Sequence, residues 1–359
     1  MAKESAAEVV PSGTCASCGG PLERVEEYPL DIAGREVVFV ADRCSQCGSE
    51  YVNAPSMMLP DGPLVSAFEP KSTPIGKYRR VVTATSRDPD LRRNPGDKVA
   101  ATLLWYLLEK KLADVVLLAH HSTSEEPVTA TTKEELAKAW QIRMGAGRAV
   151  VTGSGLRTNM LTLAQLKNFA ERDGGKHPRV AVMGRPCQVY TVRKLMWDAY
   201  IPGHSLAFAL GTFCYGNFAP AGWGARRLKE LLGFDPSEIR GVRFGDEMVF
   251  ESARGDVKKL PPAQVAGLVN ANCLQCYDFS VTFSDVSVGH VGGEEFFEAA
   301  VLRTDLGERV FDGAVREGYL ATSDAVYGKG DAAAQEKQAV SFLATMADVK
   351  RELTRKLRE

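Results

Sequence analysis

A long apolar run of the kind that spans a membrane is missing from this sequence. No window reaches the roughly 18 consecutive apolar residues that a bilayer-spanning helix needs. The opening residues, MAKESAAEVVPSGT, also lack the apolar core of a secretory signal. We therefore expect a cytoplasmic protein with no membrane span.

A charge imbalance is missing as well. Lysine and arginine total 44 against 45 aspartates and glutamates, which leaves a formal net charge of −1. Nucleic acids and anionic membrane surfaces attract proteins through an excess of basic residues, so this composition argues against a nucleic-acid partner. A hydrophobic fraction of 45% in 359 residues is enough to fill the cores of two or three domains.

Cysteine, by contrast, is not scarce, since the chain has eight. In the reducing cytoplasm cysteines persist as thiols, so clustered ones indicate metal binding or redox chemistry rather than disulfides. The eight fall into two groups of four with different spacing.

The first group lies in an N-terminal unit of residues 1–60 and consists of two CxxC pairs. Its members are Cys15, Cys18, Cys44 and Cys47. The stretch between the pairs alternates in character, which predicts an antiparallel hairpin turning at Ala33-Gly34. Each CxxC can place two thiolates on one metal, and a unit this small has too little core to fold alone. The pattern predicts a zinc-ribbon-like β domain with a structural Zn²⁺, and a rubredoxin-like iron is the alternative because both metals accept four thiolates.

The rest of the chain reads as an α/β fold with a mainly parallel or mixed sheet and flanking helices. Residues 61–75 are rich in proline and indicate a linker. Within 76–330, apolar strand candidates alternate with helices that have capping signals. Residues 331–359 predict a polar, charged C-terminal helix. The predicted strands are 114–119, 148–152, 179–183 and 206–210, with shorter ones at 241–244, 247–251 and around Val286 and Val301.

The second cysteine group combines two single cysteines with a CxxC pair. Its members are Cys187, Cys214, Cys273 and Cys276. The first two follow predicted strands in the same way, with a glycine, two residues and then the cysteine, in VAVMGRPC and AFALGTFC. Ligands of open α/β sheets bind beyond the carboxyl ends of the strands, so we expect the four thiolates to converge there. Four thiolates suit a [4Fe–4S] cluster or zinc, and the spacing alone leaves the metal open.

Longer stretches around these cysteines resemble the coenzyme F420 hydrogenase/dehydrogenase beta-subunit family. The resemblance extends over about residues 70–325, and the combination of motifs is far more specific than any one of them. The motifs are IGKY at 75–78, GRPCQ at 184–188, GTFC at 211–214 with Asn217-Phe218, CLQCYDF at 273–279, DVSVG at 285–289, and VLRT at 301–304 with Gly307.

This resemblance implies an iron–sulfur flavoprotein oxidoreductase that binds FAD and one [4Fe–4S] cluster. The cluster ligands that it implies are the second cysteine group. Such proteins transfer electrons between a two-electron carrier, either a deazaflavin such as F420 or a nicotinamide, and one-electron partners. Many relatives also have a two-cluster ferredoxin segment, which is absent here. We therefore expect a subunit of a larger complex, whose partners are other redox subunits or a ferredoxin-type carrier.

Two regions are candidates for flavin contacts, because glycine, hydroxyl and amide groups can cradle a phosphate. They are Gly96, Lys98 and Thr102 at the start of a helix, and Gly153, Ser154 and Asn159 in TGSGLRTN. Where the family usually has a Gly-Gly pair, this chain has Asp97-Lys98, and glycines are what allow close backbone approach. Two alternatives follow: an iron–sulfur relay or assembly subunit without flavin, and a zinc-ribbon binding module on an α/β scaffold.

Overall fold

The computed structural model describes most of the chain between residues 74 and 358 and part of the N-terminal unit. The described residues are 11–14, 21–32, 35–44, 50–52, 74–93, 98–118, 128–137, 178–197, 206–216, 223–243, 247–266, 276–290, 297–323 and 332–358. For those before residue 74, the backbone is described and the side chains are not.

The N-terminal unit contains a four-stranded antiparallel sheet in the order β1-β2-β3-β4. The strands are β1 Pro11–Thr14, β2 Pro21–Ile32, β3 Arg35–Cys44 and β4 Glu50–Val52. The pairing of β2 with β3 runs to Ile32 opposite Arg35, on either side of the predicted Ala33-Gly34 turn. The small N-terminal β unit is confirmed as a sheet, and its metal stays a prediction.

The remaining described strands form a large and a small sheet. In chain order they are β5 Arg80–Ser86, β6 Val115–Leu118, β7 Val128–Ala130, β8 Val180–Gly184, β9 Leu206–Thr212, β10 Ile239–Arg243, β11 Met248–Ser252, β12 Val257–Leu260, β13 Val286–His290, β14 Glu298–Leu302 and β15 Leu320–Thr322. The small sheet has the antiparallel order β10-β11-β12. The predicted strand at 148–152 lies outside the described residues.

The large sheet is mixed, with the order β15-β5-β14-β13-β9-β8-β6-β7. Its four central strands, β13, β9, β8 and β6, are parallel, and antiparallel strands flank them on both sides. Every residue of β6 and β8 is buried, which is typical of central parallel strands that are covered on both faces. The predicted α/β fold with a parallel or mixed sheet is confirmed.

Helices pack against both the large and the small sheet. Those with described bounds are α1 Pro89–Arg93, α2 Lys98–Glu109, α3 Pro186–Trp197, α4 Trp223–Leu232, α5 Pro262–Ala266, α6 Asp305–Arg316 and α7 Ala332–Arg358. Side chains of β14 alternate between the faces. Ala300 and Leu302 pack in the same core as residues of α2 and α6, whereas Ala299 and Val301 pack in the core that includes α7.

The C-terminal helix α7 confirms the predicted helix and joins both sheets. Its 27 residues extend for about 40 Å. Leu343 and Ala347 pack against the large sheet, while Leu353 belongs to the core of the small sheet together with Phe250. Within the described part of the chain, no helix is both long and apolar enough to cross a membrane.

Candidate functional site

Cys214 and Cys276 lie in one buried site beyond the carboxyl end of β9. The backbone N–H of Cys214 donates to the carbonyl oxygen of Phe279 at 2.9 Å, which holds the segment after Cys276 against the end of β9. The Lys350 ammonium contacts both cysteines, at 2.8 Å from the carbonyl oxygen of Cys214 and 3.8 Å from Sγ of Cys276. The exposed fractions of the two cysteines are 9% and 7%. Two of the four predicted ligands are therefore brought together.

The charges around Cys276 define the electrostatics of this site. Burial raises the pKa of its thiol, and the nearby Lys350 ammonium opposes that shift. The negative charges of Asp278 and Cys214 raise the pKa further. A negative charge close to a buried thiol disfavours the ionised form of that thiol. A cation bound between the two sulfurs would therefore stabilise the thiolate forms that a metal requires.

Close packing of the backbone holds the cysteine segments in place. The segment 276–285 runs past β9, and Val281 lies directly against Gly211. A Cβ atom at Gly211 would lie 2.5 Å from the Cβ of Val281, closer than such atoms approach. Val281 itself has a φ of 59°, in the left-handed region that β-branched residues rarely adopt. Glycine three residues before Cys214 is therefore required for this approach.

Arg303, in the VLRT motif, has a structural role beside the site. Arg303 is buried, and its guanidinium donates to the carbonyl oxygens of Ile75 at 3.1 Å, Lys77 at 2.7 Å and Ser280 at 2.8 Å. Burial lowers its pKa to about 10, so it stays charged at neutral pH, and Asp278 opposes this shift. Arg303 therefore joins the residues just before β5 to the segment that follows Cys276.

Asp285 anchors the other end of that segment. One carboxylate oxygen accepts from the N–H of Ala209 at 2.8 Å and pairs with Arg193 at 2.9 Å. The other accepts from the hydroxyl of Thr304 at 2.7 Å. The DVSVG and VLRT motifs therefore fix the loop on which Cys276 lies.

Cys187 lies at the matching position of the neighbouring strand. Gly184 at the end of β8 pairs with Gly211 of β9, and each is followed three residues later by a cysteine. The backbone of Cys187 forms the second residue of α3. Its side chain and all of Cys273 lie outside the described residues, so the convergence of four thiolates stays a prediction. Among the described side chains, no group of three or more histidine, cysteine or acidic residues could hold a metal ion.

The start of α2, a predicted flavin contact, is occupied by a carboxylate from a distant strand. Glu298 of β14 has an exposed fraction of 1% and accepts from the N–H groups of Lys98 at 3.0 Å and Val99 at 2.9 Å. Thr102 is fully buried, and its hydroxyl donates to the Lys98 carbonyl oxygen at 2.8 Å and lies 2.8 Å from the Ser86 hydroxyl oxygen. These backbone donors and this hydroxyl are already bonded within the protein, so they do not fit a flavin phosphate.

The other predicted site residues cannot be placed in the same way. Gly96, Gly153, Ser154 and Asn159 lie outside the described residues, as do Cys15, Cys18 and Cys47. Cys44 is described only as the last residue of β3, where its backbone pairs with Leu22. The flavin contacts and the zinc site therefore stay predictions.

Sequence reasoning missed two buried charges, Lys350 and Glu298. A signal for Lys350 exists, because it continues the helical stripe of Ala339, Leu343 and Ala347, where an apolar residue is expected. Glu298 opens a strand that is otherwise apolar, in the sequence EAAVL. Both residues break a hydrophobic pattern at a position that proves to be buried.

Comparison with known proteins identifies relatives of this fold and these motifs. Residues 177–327, which contain all four cysteines of the second group, match a family model for the C terminus of the coenzyme F420 hydrogenase/dehydrogenase beta subunit. The family resemblance predicted from the motifs is confirmed. The coenzyme F420 hydrogenase subunit beta of Methanococcus voltae is 26% identical over 258 residues, which are 70% of this chain and 86% of that protein.

Two further relatives extend the comparison with the F420 hydrogenase/dehydrogenase beta-subunit family. The coenzyme F420-dependent sulfite reductase of Methanocaldococcus jannaschii is 24% identical over 323 residues, which are 84% of this chain and 46% of that protein. A solved structure titled as a xenon derivative of the F420-reducing [NiFe] hydrogenase complex from Methanosarcina barkeri contains a chain of the same fold. It aligns with a TM-score of 0.59 at 22% identity, covering 79% of this chain and 91% of that one.

Proposed function

We propose that this chain is an F420-linked oxidoreductase subunit that holds a [4Fe–4S] cluster and transfers electrons within a multi-subunit complex. The observation that carries the proposal is the buried approach of Cys214 and Cys276 at the carboxyl end of β9. Cys187, at the same offset from the neighbouring strand, and Cys273, in the same CxxC pair as Cys276, would complete the ligand set.

A thiolate-bound metal fits the chemistry of the described residues. Two buried thiols beside an ammonium form a site in which an anionic metal–thiolate group is electrostatically compensated. A zinc tetrathiolate would fit the same donors. The names of the relatives, which are F420 hydrogenase subunits and an F420-dependent reductase, favour the redox-active cluster.

Each described residue of the site has a definite task in this proposal. One-electron transfer is the chemistry that a [4Fe–4S] cluster supplies when it is bound. Burial of Cys214 and Cys276 keeps water away from the ligands, and the Cys214–Phe279 hydrogen bond holds the two cysteine segments at a fixed separation. Arg303 and Asp285 hold the loop of Cys276 rigid, which limits rearrangement during electron transfer.

FAD belongs to the proposal because the family resemblance implies a flavin that accepts a hydride from reduced F420 or a reduced nicotinamide. The start of α2 does not support it, since the backbone N–H of Lys98 is bonded to Glu298 and the hydroxyl of Thr102 to the Lys98 carbonyl oxygen. The alternative favoured by this observation is an iron–sulfur relay or assembly subunit without flavin. The candidates Gly153, Ser154 and Asn159 stay open as flavin contacts.

The N-terminal residues 1–60 are proposed to form a separate metal-bound unit, joined through a linker at 61–75 to the redox domain 76–330 and the helix 331–359. Strand β3 of its antiparallel sheet ends at Cys44, which places the second CxxC pair just after a strand, as in a zinc ribbon. Cys15, Cys18, Cys44 and Cys47 would hold Zn²⁺, or iron in the rubredoxin-like alternative. We place the protein in the cytoplasm, where F420-linked redox partners or a ferredoxin-type carrier would exchange electrons with it.

Cofactor analysis of the anaerobically purified chain tests this proposal. We expect iron and acid-labile sulfide in equal amounts, in the proportion of one [4Fe–4S] cluster per chain, together with zinc. Extractable FAD, and oxidation of reduced F420 with an artificial one-electron acceptor, would support the flavoenzyme. Iron and sulfide without flavin would support the relay, and zinc without iron or sulfide would contradict both and support the binding module.

A further inference from the structure

Lys350 is a buried charge on the face of α7 that packs against the redox domain. Its exposed fraction is 1%, and the preceding residues of the same face, Ala339, Leu343 and Ala347, are buried apolar side chains. Burying an ammonium costs free energy unless charged or polar partners surround it. A lysine therefore needs a specific reason to occupy this position.

Lys350 contacts both of the described residues that are proposed as cluster ligands. Its Nζ donates to the carbonyl oxygen of Cys214 at 2.8 Å and lies 3.8 Å from Sγ of Cys276. One turn further along α7, the hydroxyl of Thr354 donates to the carbonyl oxygen of Cys276 at 3.4 Å. The helix therefore reaches across the site and contacts both cysteine segments from outside the region matched by the family model, which ends at residue 327.

We propose that Lys350 is a positioning residue that raises the reduction potential of the cluster through its fixed positive charge. The inference rests on the proposed function, because it requires a cluster on Cys214 and Cys276. The charge also anchors α7, so the helix and the inorganic centre stabilise each other.

The direction of the effect follows from charge balance. One electron from the reductant converts [4Fe–4S]²⁺ to [4Fe–4S]⁺, so the cluster with its four thiolates goes from a net charge of −2 to −3, and no bond breaks. A nearby cation stabilises the more negative state more strongly, and burial weakens the screening of that attraction. Removing the cation therefore favours the oxidised form.

Three substitutions separate charge from hydrogen bonding and packing. Lys350→Met removes the charge and keeps most of the length, Lys350→Gln keeps a hydrogen-bond donor without the charge, and Lys350→Arg keeps the charge. Lys337→Met is the control, because Lys337 is exposed on the same helix. The readouts are iron and sulfide content and the midpoint potential from a potentiometric titration monitored by electron paramagnetic resonance.

We expect the Met and Gln variants to lower the equilibrium constant for one-electron reduction about tenfold, which corresponds to about 59 mV for a one-electron couple. The Arg variant and the Lys337→Met control should stay near the wild-type potential. Failure of the Met and Gln variants to assemble a cluster that the Arg variant retains would support the same need for positive charge.

Other results would overturn the inference. They are a wild-type potential in a cluster-loaded Met or Gln variant, or loss of the cluster in all three variants, which would assign Lys350 a packing role. A wild-type chain without iron and sulfide would refute the proposed function itself. That result is distinct from a cluster whose midpoint potential does not change when Lys350 is replaced, which would refute only this inference.

Discussion

At the end of β9, two thiols lie buried beside a lysine ammonium, whereas at the start of α2 the backbone donors are already bonded to the carboxylate of Glu298. The first place was predicted to hold a metal centre and the second to contact a flavin phosphate. In the first, the protein places the positive charge of Lys350 beside the two buried thiols. In the second, the protein supplies the anion itself. The difference teaches that a helix start is a ligand site only when no distant side chain reaches it.

Substitution of single cysteines should have the largest effect, because it tests directly whether the thiols at the end of β9 bind a metal. Cys276→Ser removes a thiolate from the proposed cluster site, so we expect loss of essentially all iron and sulfide with zinc retained. Cys44→Ser is the matched variant in the ribbon and should lose zinc while retaining the cluster. Metal analysis of anaerobically purified protein measures both. Retention of iron and sulfide in the Cys276→Ser variant would show that Cys276 is not a ligand.

Replacement of Glu298 tests the closed site at the start of α2. Glu298→Ala leaves two buried N–H groups without acceptors and should lower the free energy of unfolding by about 3 kcal/mol. Glu298→Gln keeps one acceptor oxygen and should cost about half as much. Urea unfolding of the chain measures both effects, with exposed Glu352→Gln as a control that should leave the midpoint unchanged.

Two results would change the interpretation of Glu298. Equal stability of the Ala variant and the wild type would mean that the carboxylate does not hold the helix start. Uptake of flavin by the Ala variant alone would show that Glu298 competes with a phosphate for the same donors.

A Cβ atom at position 211 tests how tightly the cysteine segments approach. Gly211→Ala forces contact with Val281 and should destabilise the chain by about 1–3 kcal/mol while lowering cluster content. Val281→Gly in the same chain removes the clashing Cβ atom and its methyl groups, so the double variant should recover most of the loss. Chemical unfolding and iron analysis provide the values, and absence of recovery would place the strain elsewhere.

The smallest effect on stability is expected at the amino ends of the parallel strands, opposite the cysteines. Arg179 lies just before β8 and bonds Asp114, just before β6, at 2.6 Å, and this hydrogen bond holds the pKa of the Asp114 carboxyl below its ordinary value. Asp114→Asn should therefore cost less than about 1 kcal/mol at neutral pH, because the pair is half exposed.

The sign of the pH dependence at Asp114 follows from the lowered pKa. A carboxyl whose pKa is lowered by folding stabilises the protein above its unfolded pKa of 3.8 and loses that contribution as the pH falls through the lowered value. The stability difference between Asp114→Asn and the wild type should shrink over that range in urea unfolding. A difference that does not change with pH would contradict this assignment.

The position of Cys187 and Cys214 beyond neighbouring strands could be predicted, because it depends on a short sequence pattern that occurs twice. Cys187 and Cys214 each follow a glycine at the end of a buried strand, and parallel neighbours place such positions side by side. The occupant of the α2 start could not be predicted, because Glu298 lies 199 residues from Val99, and only the tertiary pairing of β14 brings it there. Lys350 can be recognised in the sequence as a break in an apolar helical stripe. Its contact with Cys276, 74 residues earlier, cannot be recognised there, because it depends on the tertiary fold.

The reach of α7 across the cysteines also sets an order on the biosynthesis of the site. Ribosomes make Cys276 74 residues before Lys350, an interval of about 4–15 s at ordinary rates of translation. During that interval the ammonium and the helix that carries it do not yet exist, so neither covers the sulfur of Cys276. If the proposed cluster is inserted during this interval, it binds before α7 packs over Cys276.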